Sequence, residues 1–230
     1  HREAKCVFCL QHLEPLARQG DAAAHAPGLA AAARLLATPF QTPGPFYPSV
    51  LPHDSDTDLV RVRGRAASAE GRVLHIFGRI LDRTGRPLAA ARVEIWQCDS
   101  RGVYHHPGER RAARDRGFQG YGQMSTSADG AYRFRTIRPI PYPGRTPHIH
   151  FAISSSSIGR FTTQMYEKGH PLNDGDFVLG RIPAGARAPL MVTFEPAPEI
   201  ESDALKGRFE IVTIAANEFH SRFRTNTSKL

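Results

Sequence analysis

The sequence predicts an all-β protein, an antiparallel β-sandwich with a short helical arm at its N-terminus. From residue 73 onward, short stretches rich in β-branched and apolar residues alternate with turn signals, as in a sandwich. The first 37 residues are instead rich in alanine, and several of their apolar residues fall at helical spacing. Apolar residues make up 40% of the 230 residues, which suffices for one globular core.

Composition divides the chain into four segments. Residues 1–37 are predicted to form the helical arm. Residues 38–72 are predicted to be a Pro-rich, extended linker that packs on the core, because five prolines between positions 38 and 52 exclude a helix. The sandwich that holds the functional residues is expected to span 73–216, and residues 217–230 to form a C-terminal tail.

Each predicted strand is a short apolar or β-branched run bounded by turn residues, such as Asp82–Pro87 and Asp129-Gly130. The polar, Arg-rich interval 105–124 is predicted to be a long loop. The predicted strands are Val73–Asp82, Ala91–Gln97, Ala131–Ile137, Pro147–Ser154, Phe161–Tyr166, Leu190–Phe194 and Phe209–Ile214.

The net charge of +8 is the excess of 30 basic over 22 acidic residues, and the basic residues are scattered along the chain with no nucleic-acid motif beside them. We therefore expect no nucleic-acid partner, and a field that attracts anionic small molecules. No apolar run approaches the length of a membrane span, so no membrane association is expected. No signal peptide is visible, which favours the cytoplasm; export stays open if a leader was removed.

Three cysteines are present, and their odd number argues against a disulfide framework. Cys6 and Cys9 form a CxxC pair with His12 close behind. Without a second ligand pair this is a weak zinc signal, so both are interpreted as apolar residues of a short helix. Cys98 stands alone.

The strand around residue 150 carries the first sign of chemistry. Alternation places Ile149 and Phe151 on an apolar face and both His148 and His150 on the opposite face. Two imidazoles two residues apart on one face can bind the same metal ion. A segment stiffened by four prolines precedes them and delivers Tyr142 and Arg145 a few residues ahead.

A second strand breaks the usual pattern in a similar way. Val93 and Ile95 take one face, whereas the only tryptophan, Trp96, shares the polar face with Glu94. Such a tryptophan either covers a further layer of structure or walls a pocket. Eight residues on, the loop beyond the strand presents Tyr104.

Together these segments resemble the intradiol ring-cleavage dioxygenases, most closely the protocatechuate 3,4-dioxygenase-like members. The resemblance covers about residues 38–195, in order and spacing. It is carried by the segments Gln41–Pro48, Gly78–Asp82, Gly85–Leu88, Ala91–Gln97, Gly102–Tyr104, Tyr132–Pro139, Pro141–Pro143, Pro147–Phe151 and Thr163–Tyr166.

The resemblance implies opening of a catechol ring by O₂ between its two hydroxylated carbons, giving a cis,cis-muconate-type diacid. It implies an Fe(III) cofactor held by Tyr104, Tyr142, His148 and His150, with Tyr142 and His148 axial. Fe(III) is a hard cation that suits anionic oxygen donors and can deprotonate a phenol whose free pKa is near 10.

The resemblance also assigns roles to residues around the metal. Tyr142 is implied to leave the iron and act as a base towards the catechol. Arg145 is implied to stabilise negative charge on the ring, and Gln164 to be an active-site residue. Trp96 is expected to form a pocket wall, and Tyr47 to line the pocket. Family members often assemble, so a homo-oligomer is expected.

One feature departs from the protocatechuate pattern. Only five residues separate Tyr142 from His148, and Arg145 is the only basic residue among them. We therefore expect a more open pocket, and several catechols remain candidate substrates.

Two other interpretations stay open. A non-catalytic, transthyretin-like β-sandwich would bind no metal and would leave the two tyrosines and two histidines unexplained. A zinc or Fe(II) enzyme would combine His148 and His150 with a carboxylate, using the loop residues His105, His106 or Asp115. We expect His105 and His106 to be exposed to solvent instead.

Overall fold

The computed structural model describes residues 34–109 and 113–214. This part of the chain is built of strands and 3₁₀ turns. The strands are β1 Val73–Asp82, β2 Arg92–Trp96, β3 Tyr121–Ser125, β4 Ala131–Ile137, β5 His148–Ser155, β6 Gly159–Glu167, β7 Met191–Val192, β8 Glu195–Pro196, β9 Leu205–Arg208 and β10 Ile211–Thr213. The 3₁₀ helices are Pro171–Gly175, Leu179–Arg181, Ala184–Ala186 and Ala188–Leu190.

The strands form two five-stranded sheets. One has the order β10-β1-β9-β8, with β4 also paired to β1, and the other has the order β3-β2-β5-β6-β7. Three pairings are parallel, β1 with β9, β1 with β10 and β6 with β7, so both sheets are mixed and not purely antiparallel. The alternation of residues within a strand indicates which side chains share a face, but not which strands pair with it. The parallel pairings were therefore not predicted from the sequence.

One hydrophobic cluster joins residues from both sheets. Leu74 and Ile76 of β1 are fully buried in it together with Ile95 of β2 and Phe151 of β5. These residues belong to the apolar faces that alternation predicts. Burying them is the main stabilising contribution, at about 25 cal/mol per Å² of apolar surface removed from water.

The other face of the second sheet is covered by loops. Trp96 and Ala152 lie there in a smaller cluster, against which Phe46, Tyr47 and Tyr142 pack. The Pro-rich segment is held on this sheet by hydrogen bonds, including Gln41 N–H to the carbonyl of Thr162 at 2.9 Å. The histidines of β5 are thereby enclosed between a sheet and a loop layer.

The strand boundaries differ from expectation mainly in the second half of the predicted loop. Residues 121–124, assigned to that loop, form β3 together with Ser125 at the edge of the second sheet, where β3 pairs only with β2 among the described strands. The strands β8 and β9 were not predicted either, whereas the predicted bounds of β1 and β4 are confirmed.

Some predicted segments fall outside the described residues. These are positions 1–33 of the predicted helical arm, with Cys6 and Cys9, and the C-terminal tail 217–230. The last residues assigned to that arm, 34–37, carry no helix. No helix in the described ranges is long and apolar enough to span a membrane.

Candidate metal centre

Strand β5 places its two histidines in the buried space under the loop layer. His148 and His150 are 1% and 2% exposed, and their rings lie 4.8 Å apart. Nδ1 of His148 is 2.7 Å from the carbonyl oxygen of Thr146. A carbonyl only accepts, so Nδ1 carries the proton and Nε2 presents a lone pair to the site.

Both predicted tyrosines converge on that lone pair. The phenol oxygen of Tyr104 lies 3.3 Å from Nε2 of His148, and that of Tyr142 lies 3.5 Å from it. Two donor atoms each about 2 Å from a common metal ion are typically about 3 to 3.5 Å apart. These three donor atoms are therefore spaced as ligands of one ion.

The loop after β2 fixes Tyr104 by local hydrogen bonds. Asp99 Oδ1 accepts from the backbone N–H groups of Arg101 and Val103, which shapes the turn just before Tyr104. Gly102 has φ +77°, and a Cβ there would lie 3.3 Å from Cβ of Tyr142. A glycine in this turn lets the two tyrosine-bearing loops approach closely.

His150 is oriented by stacking. Its ring lies parallel to that of Trp96, with centroids 4.9 Å apart and an interplanar angle of 7°. Tyr47 packs edge-on against the same indole at 5.0 Å. Nδ1 of His150 is buried and has no hydrogen-bond partner among the described residues. An unpartnered buried imidazole nitrogen needs an explanation, and a bound ligand would supply one.

Without a metal ion, the protein environment keeps the two imidazoles and the two phenols of the site neutral. Burial, helped by the charge of Arg145, lowers the pKa of His148 to about 3, and burial lowers the pKa of His150 well below its usual value. Burial raises the pKa of Tyr104 well above 10 and also raises that of Tyr142. Neutral imidazoles are ready ligands, and a multivalent cation reverses the preference of the phenols.

Arg145 is held rigidly beside the tyrosines. It is 8% exposed; its Nε donates to Asp176 at 2.8 Å and its terminal nitrogen to Oε1 of Gln164 at 2.5 Å. Gln164 is held in turn by Nε2 donation to the carbonyl of Thr42 at 3.0 Å. Arg145 and Gln164, two of the three residues predicted for catalysis, therefore belong to one network, which fixes the guanidinium near Tyr142.

Asp176 anchors this network, and sequence reasoning did not find it. Its carboxylate also accepts from the backbone N–H groups of Thr146 and Leu179. Burial pushes the pKa of Asp176 up, but these hydrogen bonds and the charge of Arg145 outweigh it, so the pKa is lowered. The residue lies 31 positions from Arg145, and no local pattern marks it.

A second overlooked carboxylate supports the Trp96 side. Glu94 is fully buried and accepts hydrogen bonds from Tyr47 and Tyr121, each at 2.7 Å, and from Arg160 at 2.7 Å. The feature of the sequence that could have identified Glu94 was its position on the polar face of β2. Glu94 thereby fixes Tyr47 against the indole of Trp96.

The alternative zinc or Fe(II) site, in which a carboxylate would join His148 and His150, is not formed by the described residues. The two carboxylate oxygens of Asp115 accept from the N–H groups of Glu70 and Gly117, away from the β5 histidines. His105 and His106 are half-buried, not exposed as expected, because each packs on a phenylalanine. Within the described ranges no three His, Cys, Asp or Glu side chains could together hold a metal. The donor atoms that do converge are Nε2 of His148 and the phenol oxygens of Tyr104 and Tyr142, and this set fits a hard cation.

Among the four predicted ligands, Tyr142 is the accessible one. It is half-buried, whereas Tyr104 and both histidines are buried. Tyr142 and Arg145 line a cavity of about 140 Å³ whose rim includes the exposed Leu172.

Comparison with known proteins gives the family. A family model described as "Dioxygenase" matches residues 42–214. The chain is 36% identical to the protocatechuate 3,4-dioxygenase beta chain of Burkholderia cepacia over 166 residues, covering 68% of this chain and 71% of the relative. It is 33% identical to the hydroxyquinol 1,2-dioxygenase of Corynebacterium glutamicum, covering 50% of this chain and 43% of that one.

A solved structure agrees with these matches. The dioxygenase domain of a carbohydrate-binding fusion protein from Streptomyces sp. SirexAA-E superposes with a TM-score of 0.58 at 29% identity, covering 77% of this chain and 98% of that one. This chain belongs to the intradiol dioxygenase family, as the sequence predicted. It spans less than half of the hydroxyquinol relative.

Proposed function

We propose that this protein opens catechol-type diols between their two hydroxylated carbons. Both atoms of O₂ enter the product, a cis,cis-muconate-type diacid. The observation that carries the proposal is the convergence of Nε2 of His148 with the phenol oxygens of Tyr104 and Tyr142 in a buried site. The names of the relatives, protocatechuate and hydroxyquinol dioxygenases, support a catechol-type substrate.

We propose Tyr104, Tyr142, His148 and His150 as ligands of Fe(III). The two phenolates would offset most of the ionic charge, and the neutral imidazoles complete the protein's share of the donor set. Bound there, Fe(III) would supply a hard Lewis acid that holds the diol as its dianion. A carboxylate-free donor set favours the ferric over the ferrous ion, whose usual site has two histidines and one carboxylate.

The protein's own groups then carry the proton and charge chemistry. Tyr142, the accessible ligand, would be a phenolate beside Fe(III), and its phenolate oxygen would take a proton from one catechol hydroxyl. Arg145, fixed by Asp176 and Gln164, stabilises negative charge on the ring. Because that guanidinium is pre-positioned, little reorganisation is needed during the reaction. Trp96 and Tyr47 are proposed to form the wall behind His150.

The test compares iron content and ring cleavage in matched tyrosine variants. Tyr104→Phe and Tyr142→Phe each remove one phenol oxygen, and Tyr132→Phe removes a buried phenol far from the ligands, bonded to the carbonyl of Phe209. We expect both ligand variants to lose iron and at least about 100-fold of kcat, in line with removal of a catalytic group. Tyr132→Phe should lose stability but keep one iron per folded chain. Full iron and activity in Tyr104→Phe would refute the proposal.

A further inference from the structure

The two histidines of β5 are oriented in different ways. Nδ1 of His148 is held by the backbone carbonyl oxygen of Thr146 at 2.7 Å. His150 has no such bond, because its buried Nδ1 has no partner among the described residues. The indole nitrogen of Trp96, on which His150 stacks, is likewise buried and without a partner there. Packing, and not a hydrogen bond of its own, therefore orients this stacked pair.

The next ring along, Tyr47, is held by a hydrogen bond. It meets Trp96 edge-on, with ring centroids 5.0 Å apart and an interplanar angle of 87°. Its hydroxyl donates to Oε1 of Glu94 at 2.7 Å. The guanidinium of Arg160 lies over its ring, 4.9 Å from the centroid. Tyr47 is therefore fixed at its hydroxyl and across its ring, and it can fix the indole in turn.

Glu94 anchors these rings at the end away from the metal ligands. It is fully buried and shares a face of β2 with Trp96, two residues on. Tyr121 donates to the same Oε1 at 2.7 Å, and Arg160 donates to Oε2 at 2.7 Å. Both oxygens are therefore satisfied, and a satisfied buried network is rigid. Apolar side chains in place of a buried ion pair are often neutral for stability, so stability alone does not account for this carboxylate.

We propose that Glu94 is a positioning residue of the metal centre and sets the ring plane of His150. It acts through Tyr47 and Trp96. The inference rests on the proposed function, in which His150 is a ligand. An imidazole binds a metal ion along a lone pair in the plane of its ring, so a tilted ring binds more weakly. The second nitrogen of a metal-binding histidine usually donates a hydrogen bond that fixes the ring. Here stacking takes that place, and the hydrogen bond is made by Tyr47 instead.

Three variants separate positioning from stability. Tyr47→Phe keeps the ring but removes the bond to Glu94, and Glu94→Gln keeps the shape but removes the charge. Tyr121→Phe is the matched control, because it removes a bond of the same length to the same oxygen and leaves Tyr47 bonded. A merely structural carboxylate would make the two phenylalanine variants equivalent. Both of them keep the pair of Glu94 with Arg160, so the test does not depend on how well Glu94→Gln folds.

Fluorescence of the metal-free, full-length protein gives the first measurement. Trp96 is the only tryptophan, so time-resolved anisotropy reports the motion of its indole alone. In Tyr47→Phe and Glu94→Gln we expect a fast loss of anisotropy, within about a nanosecond, as for a side chain that moves freely. Tyr121→Phe should decay as slowly as the wild type. An indole that stays immobile in both Tyr47→Phe and Glu94→Gln would overturn the proposal, whether or not the chain cleaves a catechol.

Iron affinity measures the consequence for His150, with ferric citrate as the source and free citrate as the competitor. Tyr47→Phe and Glu94→Gln should bind Fe(III) about tenfold more weakly, and Tyr121→Phe within about twofold of the wild type. The double variant should bind no more weakly than Glu94→Gln, because both changes break one connection. Equal affinities in Tyr47→Phe and Tyr121→Phe, or additive losses in the double variant, would refute the positioning role. A wild type that binds iron but cleaves no catechol would refute only the proposed function.

Discussion

His150 owes its position to two contacts that involve no hydrogen bond. One is the stacked indole of Trp96. The other is Gly44, whose missing Cβ leaves room for the imidazole; a Cβ there would lie 3.3 Å from Cε1 of His150. This glycine belongs to the Pro-rich segment, far from β5 in sequence. A residue with no side chain therefore helps to shape the space around His150.

Gly44→Ala tests this contact, and Gly159→Ala is its matched control. Both glycines have positive φ, +69° and +68°, but nothing lies within 4 Å of a Cβ at Gly159. Each alanine should cost about 1 kcal/mol of unfolding free energy through backbone strain, measured by urea denaturation. Only Gly44→Ala should also reduce iron bound per chain. If both variants retained iron equally, the contact with His150 would be without consequence.

Among the elements, the 3₁₀ helix Pro171–Gly175 matters because Asp176 lies at its C-terminal end. This carboxylate joins the helix to Arg145 and to the backbone of Thr146. Position 146 is two residues before His148, so Asp176 couples the start of β5 to the guanidinium. The arrangement lets a short turn position both a cation and the strand that carries His148.

Asp176→Asn should separate this role from mere helix capping. The amide keeps the shape but loses the charge, and we expect about 2 to 3 kcal/mol of destabilisation from the weakened buried ion pair. We also expect a lower kcat with catechol, because Arg145 loses its anchor. Asp174→Asn, an exposed change in the same helix, should alter stability by less than about 0.5 kcal/mol. A kcat unchanged in Asp176→Asn would contradict the positioning role.

The strands and the site were predictable to different degrees. Both ends of strand β1 could be predicted correctly, because the alternation of apolar residues in its sequence matches the alternation of buried positions. Strand β3 could not, because an edge strand with Gly122 and polar residues lacks that alternation. The tyrosines and histidines were found from their motifs. Asp176 and the hydrogen bonds that Glu94 accepts from Tyr47 and Tyr121 were not, because these residues meet their partners only through the tertiary fold.

For the molecule as a whole, paired carboxylates make stability depend on pH. Glu201 lies in the turn after β8, and its hydrogen bonds from Arg135 of β4 lower its pKa to about 2. A carboxyl whose folded pKa is depressed stabilises the fold above its unfolded pKa of about 4.5. That contribution is lost as the pH falls from about 4.5 towards about 2.

In the variant Glu201→Gln, the free energy of unfolding should fall less steeply as the pH is lowered. Because Glu201 is 33% exposed, solvent screening limits the expected effect to about 1 kcal/mol. Urea denaturation at pH 7, 4 and 3 measures it, with Glu195→Gln, an exposed change on β8, as the control. The control should follow the wild type. A variant Glu201→Gln that loses stability as steeply as the wild type would show that the pair with Arg135 does not contribute.

We propose that two phenolates and two imidazoles of this chain hold a ferric ion that binds catechol directly. The most direct measurement is the visible absorption spectrum of the purified, iron-loaded protein, before and after anaerobic addition of catechol. We expect a red-brown tyrosinate band that moves to longer wavelength when catechol is added. A protein that stays colourless after reconstitution with iron would contradict the four-ligand site.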